Sequence, residues 1–138
     1  YPGIRNVVDL WQIGNEPNHT PFWKGTLSQY VNTFLKPASE VLRPLGEKVV
    51  GAAPTWDVRA AESLRDLGYL NYVDFAAFHP YARTADQVLE RVRGAKAAFA
   101  GKPLILTEWN MNDVGNTSFW ASELNRIAPE ISRLVHSA

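Results

Sequence analysis

The chain has 138 residues, of which 46% are hydrophobic and 12% aromatic, which is typical of one globular domain with a real core. Lys and Arg together number 14, as do Asp and Glu, so the net charge is zero. This balance argues against nucleic acid or an anionic membrane as a partner. With no cysteine, the chain forms no disulfide and carries no thiol nucleophile.

The sequence leaves the cellular compartment open. No apolar run approaches the roughly 18 residues of a membrane span, and no signal-peptide pattern opens the chain. The first residue is Tyr1 rather than Met, so an upstream signal could have been lost. Both a secreted and a cytoplasmic location remain compatible with the sequence.

Four apolar segments predict β-strands, at residues 7–13, 48–53, 72–78 and 103–107. Each is followed by a segment with helical spacing. The first helix, to Leu42, begins at a capping box on Thr26 and meets a kink or break at Pro37, and the second ends at Gly68. The third begins at a capping box on Thr84, and the last starts near residue 118, with Pro129 as a potential break.

This order of elements predicts an α/β fold. Repeated strand–helix units imply parallel strands joined by right-handed crossovers. Two architectures fit four such units: a small doubly wound open sheet, or part of an eight-stranded barrel. The length of the repeat does not choose between them.

Polar residues follow three of the predicted strands, in the sequences Asn15-Glu16, His79-Pro80-Tyr81 and Thr107-Glu108-Trp109-Asn110. The carboxyl ends of parallel strands share one face, so Glu16 and Glu108 are expected on one rim although they are 92 positions apart. Strand alternation puts Glu16 on the side of Leu10, and Glu108 on the side of Leu104 and Leu106. One such glutamate alone is more often a helix cap or a surface ion-pair partner. Two facing one cavity suit acid–base and nucleophilic chemistry on an acetal.

These residues carry a resemblance to clan A of the glycoside hydrolases. In that clan a (β/α)8 barrel places the acid/base after the fourth strand and the nucleophile after the seventh. The strings WQIGNEPN, FWKGTLSQY and VVGAAPT are most similar to family 39, with family 5-like enzymes next. The resemblance covers residues 1–138 and implies one partial (β/α)8 TIM-barrel domain, a half-barrel of about four units at family strands four to seven.

The resemblance implies a retaining glycosidase acting on a carbohydrate. Glu16 matches the acid/base, Glu108 the nucleophile, and Asn15 the residue that hydrogen-bonds the sugar 2-hydroxyl. Two carboxylates in one cleft cannot easily both ionise, so the proton on Glu16 is expected to be held by a raised pKa.

The remaining candidates for substrate contact each have a structural alternative. His79 lies near a sugar-contacting histidine of the family, or is a core histidine. Tyr81 matches a tyrosine that contacts the nucleophile, or is a core residue with a bonded hydroxyl. Trp109 and Trp23 are candidate sugar platforms, although Trp109 has the parity for packing against a helix and Trp23 can fasten its loop.

No cofactor and no metal are expected. The chain has three histidines, no cysteine and no HExxH spacing. His19 lies in the loop after Glu16 and is interpreted as solvated rather than as a metal ligand. No Gly-rich phosphate loop and no GxSxG elbow are present.

Four parallel strands cannot close into a barrel. The chain is therefore a fragment, half of a homodimeric ring, or an open sheet that keeps the motif without turnover, in other words a carbohydrate-binding or structural remnant. A solitary half would expose its inner apolar residues and two strand edges. That exposure predicts a homodimer or a complementing barrel half. The homodimeric ring would lack the sugar contacts of the family's early strands, so it is expected to be weakly active or inactive. The inner residues are expected to be Leu10, Phe75, Ala77, Leu104 and Leu106.

Overall fold

A computed structural model describes residues 7–111 and 117–136. It has four short parallel strands that lie side by side in chain order. β1 pairs with β2, and β3 with β4, while a single bridge between Val50 and Phe75 joins the two pairs. The strands are β1 (Trp11–Ile13), β2 (Val49–Gly51), β3 (Ala76–Ala77) and β4 (Leu104–Ile105).

Each strand is shorter than the sequence predicts, and the first differs most. Val7 is 78% exposed and Leu10 is 40% exposed, so this stretch is not a strand covered on both faces. Within the described residues β1 pairs with β2 alone. With one neighbour, the amino-terminal half of the segment lacks the packing that its apolar pattern implied.

The first helical segment is a mixture of helix types. It comprises α1 (Leu27–Gln29), π-helical turns (Tyr30–Leu35), α2 (Lys36–Leu42) and a 3₁₀ turn (Arg43–Leu45). The predicted capping box is present, because Gln29 N donates to Thr26 Oγ1 and Thr26 N donates to Gln29 Oε1. Pro37 does not break the helix. It lies in the first turn of α2, directly after the widened π-helical turns, which accommodate a residue that has no N–H to donate.

The later helices follow the sequence pattern closely. They are α3 (Val58–Asp66), α4 (Ala85–Ala98) and α5 (Thr117–His136), with a 3₁₀ turn (Tyr69–Asn71) between α3 and β3. Gly68, with a φ of 82°, follows α3, and α5 continues through Pro129. At the start of α4, Thr84 Oγ1 accepts from Gln87 N, but Gln87 Oε1 accepts from Arg83 N, so that capping box is half-formed. The side chains predicted to face inward are all buried: Val88, Leu89, Val92, Ala95 and Phe99.

The core has two parts, on opposite sides of the strands. The larger part packs the strands against the helices, and successive helices contact one another, α3 against α4 and α4 against α5. The smaller part consists of Val50, Ala53 and Ala77, with Phe75 and Ile105 packed against them.

Strand alternation gave the wrong inner face for the fourth strand. Leu104 and Leu106 pack in the larger, helix-side core, and Ile105 lies with the smaller cluster instead. Leu10 is exposed and belongs to neither. β4 has only two residues, and its pairing with β3 sets its register. The alternation of the sequence alone does not reveal that register.

The architecture is therefore a mixed α/β fold with parallel strands, as the sequence predicts. The strands form no closed barrel within residues 7–111 and 117–136. No helix in this part of the chain is long and apolar enough to cross a membrane.

A buried tyrosine joins the carboxyl ends of the first two strands. The hydroxyl of Tyr30 donates to Ile13 O at 2.7 Å and accepts from Ala52 N at 2.8 Å. The side chain is 1% exposed, and its burial raises the pKa of the hydroxyl well above its usual range. It therefore remains protonated and satisfies both backbone groups where β1 and β2 end.

Replacing Tyr30 with Phe should lower the free energy of unfolding by about 1–3 kcal/mol. The change removes only the oxygen and leaves the buried N–H of Ala52 and the partly buried carbonyl of Ile13 without this partner. Urea titration followed by circular dichroism measures the loss. Tyr72→Phe is the matched control, because Tyr72 is only partly buried. Equal stability of the two variants would contradict the bridging role.

Candidate active site

Glu16 reaches its position through an unusual backbone. The chain leaves β1 with Gly14 at a φ of 87° and Glu16 at a φ of 39°, both in the left-handed region. Glu16 N donates to Ala53 O at 3.1 Å, which holds the turn against the end of β2. Strand alternation therefore does not extend to Glu16 as predicted. The turn, rather than the pleat, directs this side chain inward, where it is 5% exposed.

His79 links the ends of three strands. Its ring is 0% exposed, with Nδ1 2.9 Å from Glu16 Oε1 and Nε2 2.9 Å from Thr107 Oγ1. The tautomer with hydrogen on Nδ1 donates to the carboxylate and leaves Nε2 to accept from the Thr107 hydroxyl. His79 N is held by Pro54 O at 3.1 Å. The ring is therefore buried, as the core alternative predicts, and it also contacts Glu16, while its contact with a sugar stays a prediction.

Glu108 lies beside His79 and is held by Tyr81. The Tyr81 hydroxyl donates to Glu108 Oε2, and Glu108 Oε1 lies 3.9 Å from His79 Nε2. Burial, the hydrogen bond to Glu108 and the charge of Glu108 raise the pKa of Tyr81 well above its usual range. The phenol therefore stays protonated as a donor. The side chain of Glu108 is 50% exposed, so a ligand can reach it.

The two glutamates and His79 form one compact group. One carboxylate oxygen of Glu16, one of Glu108 and one ring nitrogen of His79 all lie within 4.8 Å of one another. Retaining glycosidases hold their carboxyl groups about 5–5.5 Å apart, and inverting ones about 6.5–9.5 Å apart. The nearest oxygens of the two carboxylates are no more than 4.8 Å apart, which is closer to the shorter separation than to the longer one.

Sequence reasoning missed the contact between His19 and Glu16. The Nδ1 of His19 lies 3.0 Å from Glu16 Oε2, and its side chain is 37% exposed, so it is partly solvated and also contacts the carboxylate. His19 N also donates to Glu16 O at 2.9 Å, which closes a turn and returns the ring to the carboxylate. The sequence offered one signal for this contact. Glu16 and His19 are three positions apart, and the two residues between them, Pro17 and Asn18, favour turns.

The pKa of Glu16 is lowered, whereas the sequence predicted that it is raised. Burial, the largest effect, raises it, but the hydrogen bonds from His79 and His19, the Thr55 hydroxyl and the charge of His79 together outweigh burial. The Thr55 hydroxyl acts in the same direction from nearby, although its oxygen makes no hydrogen bond of ordinary geometry. A raised pKa was predicted from the second carboxylate alone, because sequence reasoning missed the contacts of the two imidazoles with Glu16.

Asn18 fastens the glutamate loop to the chain beyond β2. Its amide nitrogen donates to Thr55 O at 3.0 Å, and its amide oxygen accepts from Thr55 N at 2.9 Å. This two-way contact fixes residues 37 apart in sequence and supports the turn that carries Glu16. It is a second positioning contact that the sequence did not reveal.

The other predicted substrate contacts have different surroundings. Asn15 is partly exposed, and its side chain makes no hydrogen bond within the described ranges, so its amide is available to a ligand. Trp109 packs against the helix-side core. The indole N–H of Trp23 donates to Thr26 O at 3.0 Å, and its ring meets Tyr30 edge-on at 6.0 Å. Both tryptophans thus make the structural contacts that were the alternatives to sugar binding: Trp109 packs against the core, and Trp23 fastens its loop.

The same group has the residue types of a metal site, since Glu16, His79 and Glu108 each offer a ligand atom. Both nitrogens of His79 already have hydrogen-bond partners, as does each oxygen of Glu16. A metal ion would have to replace these bonds. The arrangement as it stands suits proton transfer and nucleophilic attack.

Comparison with known proteins identifies the class. Residues 61–136, more than half of the chain, match the family model described as glycosyl hydrolase catalytic core. The chain belongs to this family. The prediction of a glycoside hydrolase is thus confirmed at the level of the family.

One solved structure gives the fold relationship. The chain is similar to a GH128 (subgroup VI) exo-β-1,3-glucanase from Aureobasidium namibiae, with a TM-score of 0.60 and 13% identity. The match covers 82% of this chain and 47% of the glucanase, so the chain spans about half the length of that protein. No curated protein sequence matches the chain.

Replacing His79 with Ala should raise the pKa of Glu16. The change removes the strongest of the contacts that lower it, while much of the burial that raises it remains. Titration of the Glu16 carboxyl carbon by ¹³C NMR measures the shift. The control is His136→Ala, which removes an exposed ring from the end of α5. An unchanged or lower pKa in a folded His79→Ala protein would contradict this account.

Proposed function

We propose that this chain carries the catalytic pair of a retaining glycoside hydrolase, with Glu108 as the nucleophile and Glu16 as the acid/base. The observation that supports it most is the approach of the two carboxylates to within 4.8 Å across His79. They come from the ends of β1 and β4 and meet at the carboxyl ends of parallel strands, where α/β enzymes bind their ligands.

The reaction proceeds in two displacements. In the first, Glu108 attacks the anomeric carbon while Glu16 gives its proton to the departing oxygen, leaving a glycosyl ester on Glu108. In the second, Glu16 takes a proton from water as the water oxygen attacks the same carbon and releases Glu108. The Tyr81 hydroxyl donates to the far oxygen of Glu108 and keeps the other free to attack. The two carboxylates need no cofactor or metal for these steps.

The lowered pKa of Glu16 requires an explanation, since a general acid must hold a proton. Both oxygens of Glu16 have an imidazole partner, but His79 is 0% exposed and His19 is 37% exposed. A leaving-group oxygen therefore replaces His19 at Oε2 more readily than His79 at Oε1. That exchange removes one of the hydrogen bonds that lower the pKa of Glu16. The pKa of Glu16 therefore rises when substrate binds. Proton donation is then lost as the pH rises through the pKa of the complex.

The other residues complete the sugar site in this proposal. The free amide of Asn15 hydrogen-bonds the sugar 2-hydroxyl next to Glu16. His79 and Tyr81 border the reacting sugar and orient the glutamates. Trp109 and Trp23 offer their uncovered ring faces to the substrate.

Residues 1–138 form, in this proposal, one part of a (β/α)8 domain of clan A, at family strands four to seven and similar to family 39 or family 5. The parallel order of the four strands supports it. The similar glucanase makes β-1,3-linked glucan the first substrate to test.

Replacing each glutamate with Ala should give distinct kinetic losses. Glu108→Ala should abolish turnover, and azide should restore it with a glycosyl azide of inverted configuration as product. Glu16→Ala should slow substrates with poor leaving groups by about 10²–10⁴-fold and activated aryl glycosides far less, because the latter need little proton assistance. Rates with both substrate classes, with and without azide, measure this in whichever form of the protein is active.

Glu62→Ala is the control, because Glu62 is an exposed glutamate on α3. It should leave both rates unchanged. Equal losses for the two substrate classes in Glu16→Ala would exclude the acid role. Undiminished turnover in Glu108→Ala would exclude the nucleophile.

We also propose that the chain associates, as a homodimer or with a complementing barrel half. The smaller cluster around Val50 and Ala77 lies on the opposite side of the strands from the helix-side core. Within the described residues β1 and β4 each have a strand partner on one side only. Open strand edges favour pairing with a second set of strands.

Sedimentation at micromolar concentration should give at least twice the 15.4 kDa of one chain. Gln12→Pro should shift the equilibrium toward the single chain, because Gln12 is exposed on β1, whose outer edge pairs with no strand in the described part of the chain. Glu62→Ala is again the control. A single-chain mass with a cooperative melt in the unchanged protein would contradict the proposal.

A further inference from the structure

Trp56 is held in an unfavourable conformation beside the two glutamates. It lies in the segment that joins β2 to α3, with a φ of 37°, and Asp57 N donates across it to Thr55 O at 2.5 Å. Trp56 N donates to His79 O at 2.9 Å. Bulky residues rarely adopt positive φ, and such outliers persist where the surroundings impose them, often at ligand sites. The constraint fixes the direction in which the Cα–Cβ bond of Trp56 leaves the backbone.

The indole of Trp56 does not pack in the core. Trp56 is 45% exposed, in contrast to the other residues at the carboxyl end of β2, which are buried from Gly51 to Thr55. Its ring meets the ring of His19 edge-on at 5.5 Å. Since His19 contacts Glu16 Oε2, the indole lies on the side of the site from which the acid/base is reached.

Trp56 forms a wall of two adjoining cavities. The first, of about 480 Å³, extends from Tyr81, the residue that donates to Glu108, to Arg91 on α4. The second, of about 470 Å³, shares Trp56, Gln87 and Arg91 with it and continues along α4 to Gly94. Together they form a trough that begins at Tyr81, which contacts Glu108, and passes the indole. Cavities of this size can hold a ligand longer than one sugar ring.

The polar groups of the trough are mostly donors. Neither Arg83 nor Arg91 makes an ion pair with any residue in the described part of the chain, and both line the first cavity. Gln87 Oε1 already accepts from Arg83 N, which leaves its amide hydrogens to a ligand. A ligand here must offer acceptor oxygens and an apolar face. A pyranose ring has both, since its hydroxyl and ring oxygens accept and its C–H face stacks on an indole.

We infer that the trough is a second sugar subsite, in which Trp56 stacks on the pyranose of the leaving group and Arg83, Gln87 and Arg91 bind its oxygens. The inference rests on the proposed function, because the leaving group is defined by the acid role of Glu16. A ring seated on Trp56 meets the edge of His19, so filling this subsite favours release of His19 from Glu16. The subsite therefore binds substrate and also clears Oε2 for the departing oxygen.

The test compares ligands that do and do not reach the trough. The long ligand is the tightest-binding member of a set of β-1,3- and β-1,4-linked gluco-, xylo- and manno-trisaccharides, and the short one is the single-ring aza-sugar 1-deoxynojirimycin. Calorimetry on the Glu108→Gln protein measures both without turnover. Trp56→Ala should weaken the trisaccharide about five- to tenfold and leave the aza-sugar unchanged. Ala retains a Cβ, so the backbone constraint stays and only the ring is lost.

Matched variants separate the subsite from general damage. Trp56→Phe should recover part of the trisaccharide affinity, because a smaller aromatic face remains. Arg83→Ala and Arg91→Ala should each weaken the trisaccharide about threefold. The control is Arg59→Ala, an exposed arginine on α3 that does not line the trough, and it should change nothing.

Each remaining outcome decides between the two proposals. Unchanged trisaccharide affinity in a folded Trp56→Ala protein overturns the subsite, and the catalytic proposal then stands on the Glu108 and Glu16 kinetics alone. Trisaccharide binding that depends on Trp56, in a protein without turnover, shows that the trough binds sugar but overturns both the catalytic proposal and the role of the trough as a leaving-group subsite. Failure of every trisaccharide to bind at millimolar concentration overturns the subsite as well.

Discussion

The candidate site depends on the buried imidazole of His79. Its two nitrogens lie 2.9 Å from Glu16 Oε1 and 2.9 Å from Thr107 Oγ1, so one ring connects the carboxyl ends of β1 and β4 across β3. A buried imidazole without partners would be costly, and here the two contacts that satisfy it also fix the spacing of the site. The backbone carbonyl of His79 also accepts a hydrogen bond from Trp56 N. The glutamate pair and the trough beside it therefore share one anchor.

The two glutamates are chemically unequal because their neighbours differ. Glu16 is 5% exposed and faces two imidazoles, which stabilise its charged form against the cost of burial. Glu108 is half exposed and faces a phenol whose pKa is raised, so that the phenol remains a donor. A pair of carboxylates divides the roles of acid and nucleophile only if their surroundings differ. Of the two imidazoles, His19 is the more exposed, at 37% against 0% for His79.

Much of the fold follows from local patterns in the sequence. The capping box at Thr26 and the inward residues of α4 are where the pattern put them, because a helix is built from contacts three and four residues apart. The strands were less predictable, since a strand extends only as far as a neighbour pairs with it. β1 and β4 are accordingly short, and Leu104 and Ile105 occupy the sides opposite to those that alternation predicted.

The sequence by itself determined the order of strands and helices and the two glutamates at the ends of β1 and β4. Both follow from local periodicity and from the rule that parallel strands end on one face. Only the tertiary structure decided that Glu16 turns inward at a φ of 39°, that His19 and His79 lower its pKa, and that Trp56 faces an open trough. The physical reason is the range of the contacts. Glu16 and His79 are 63 residues apart, and the backbone of Trp56 is held by His79, so no local preference encodes either arrangement.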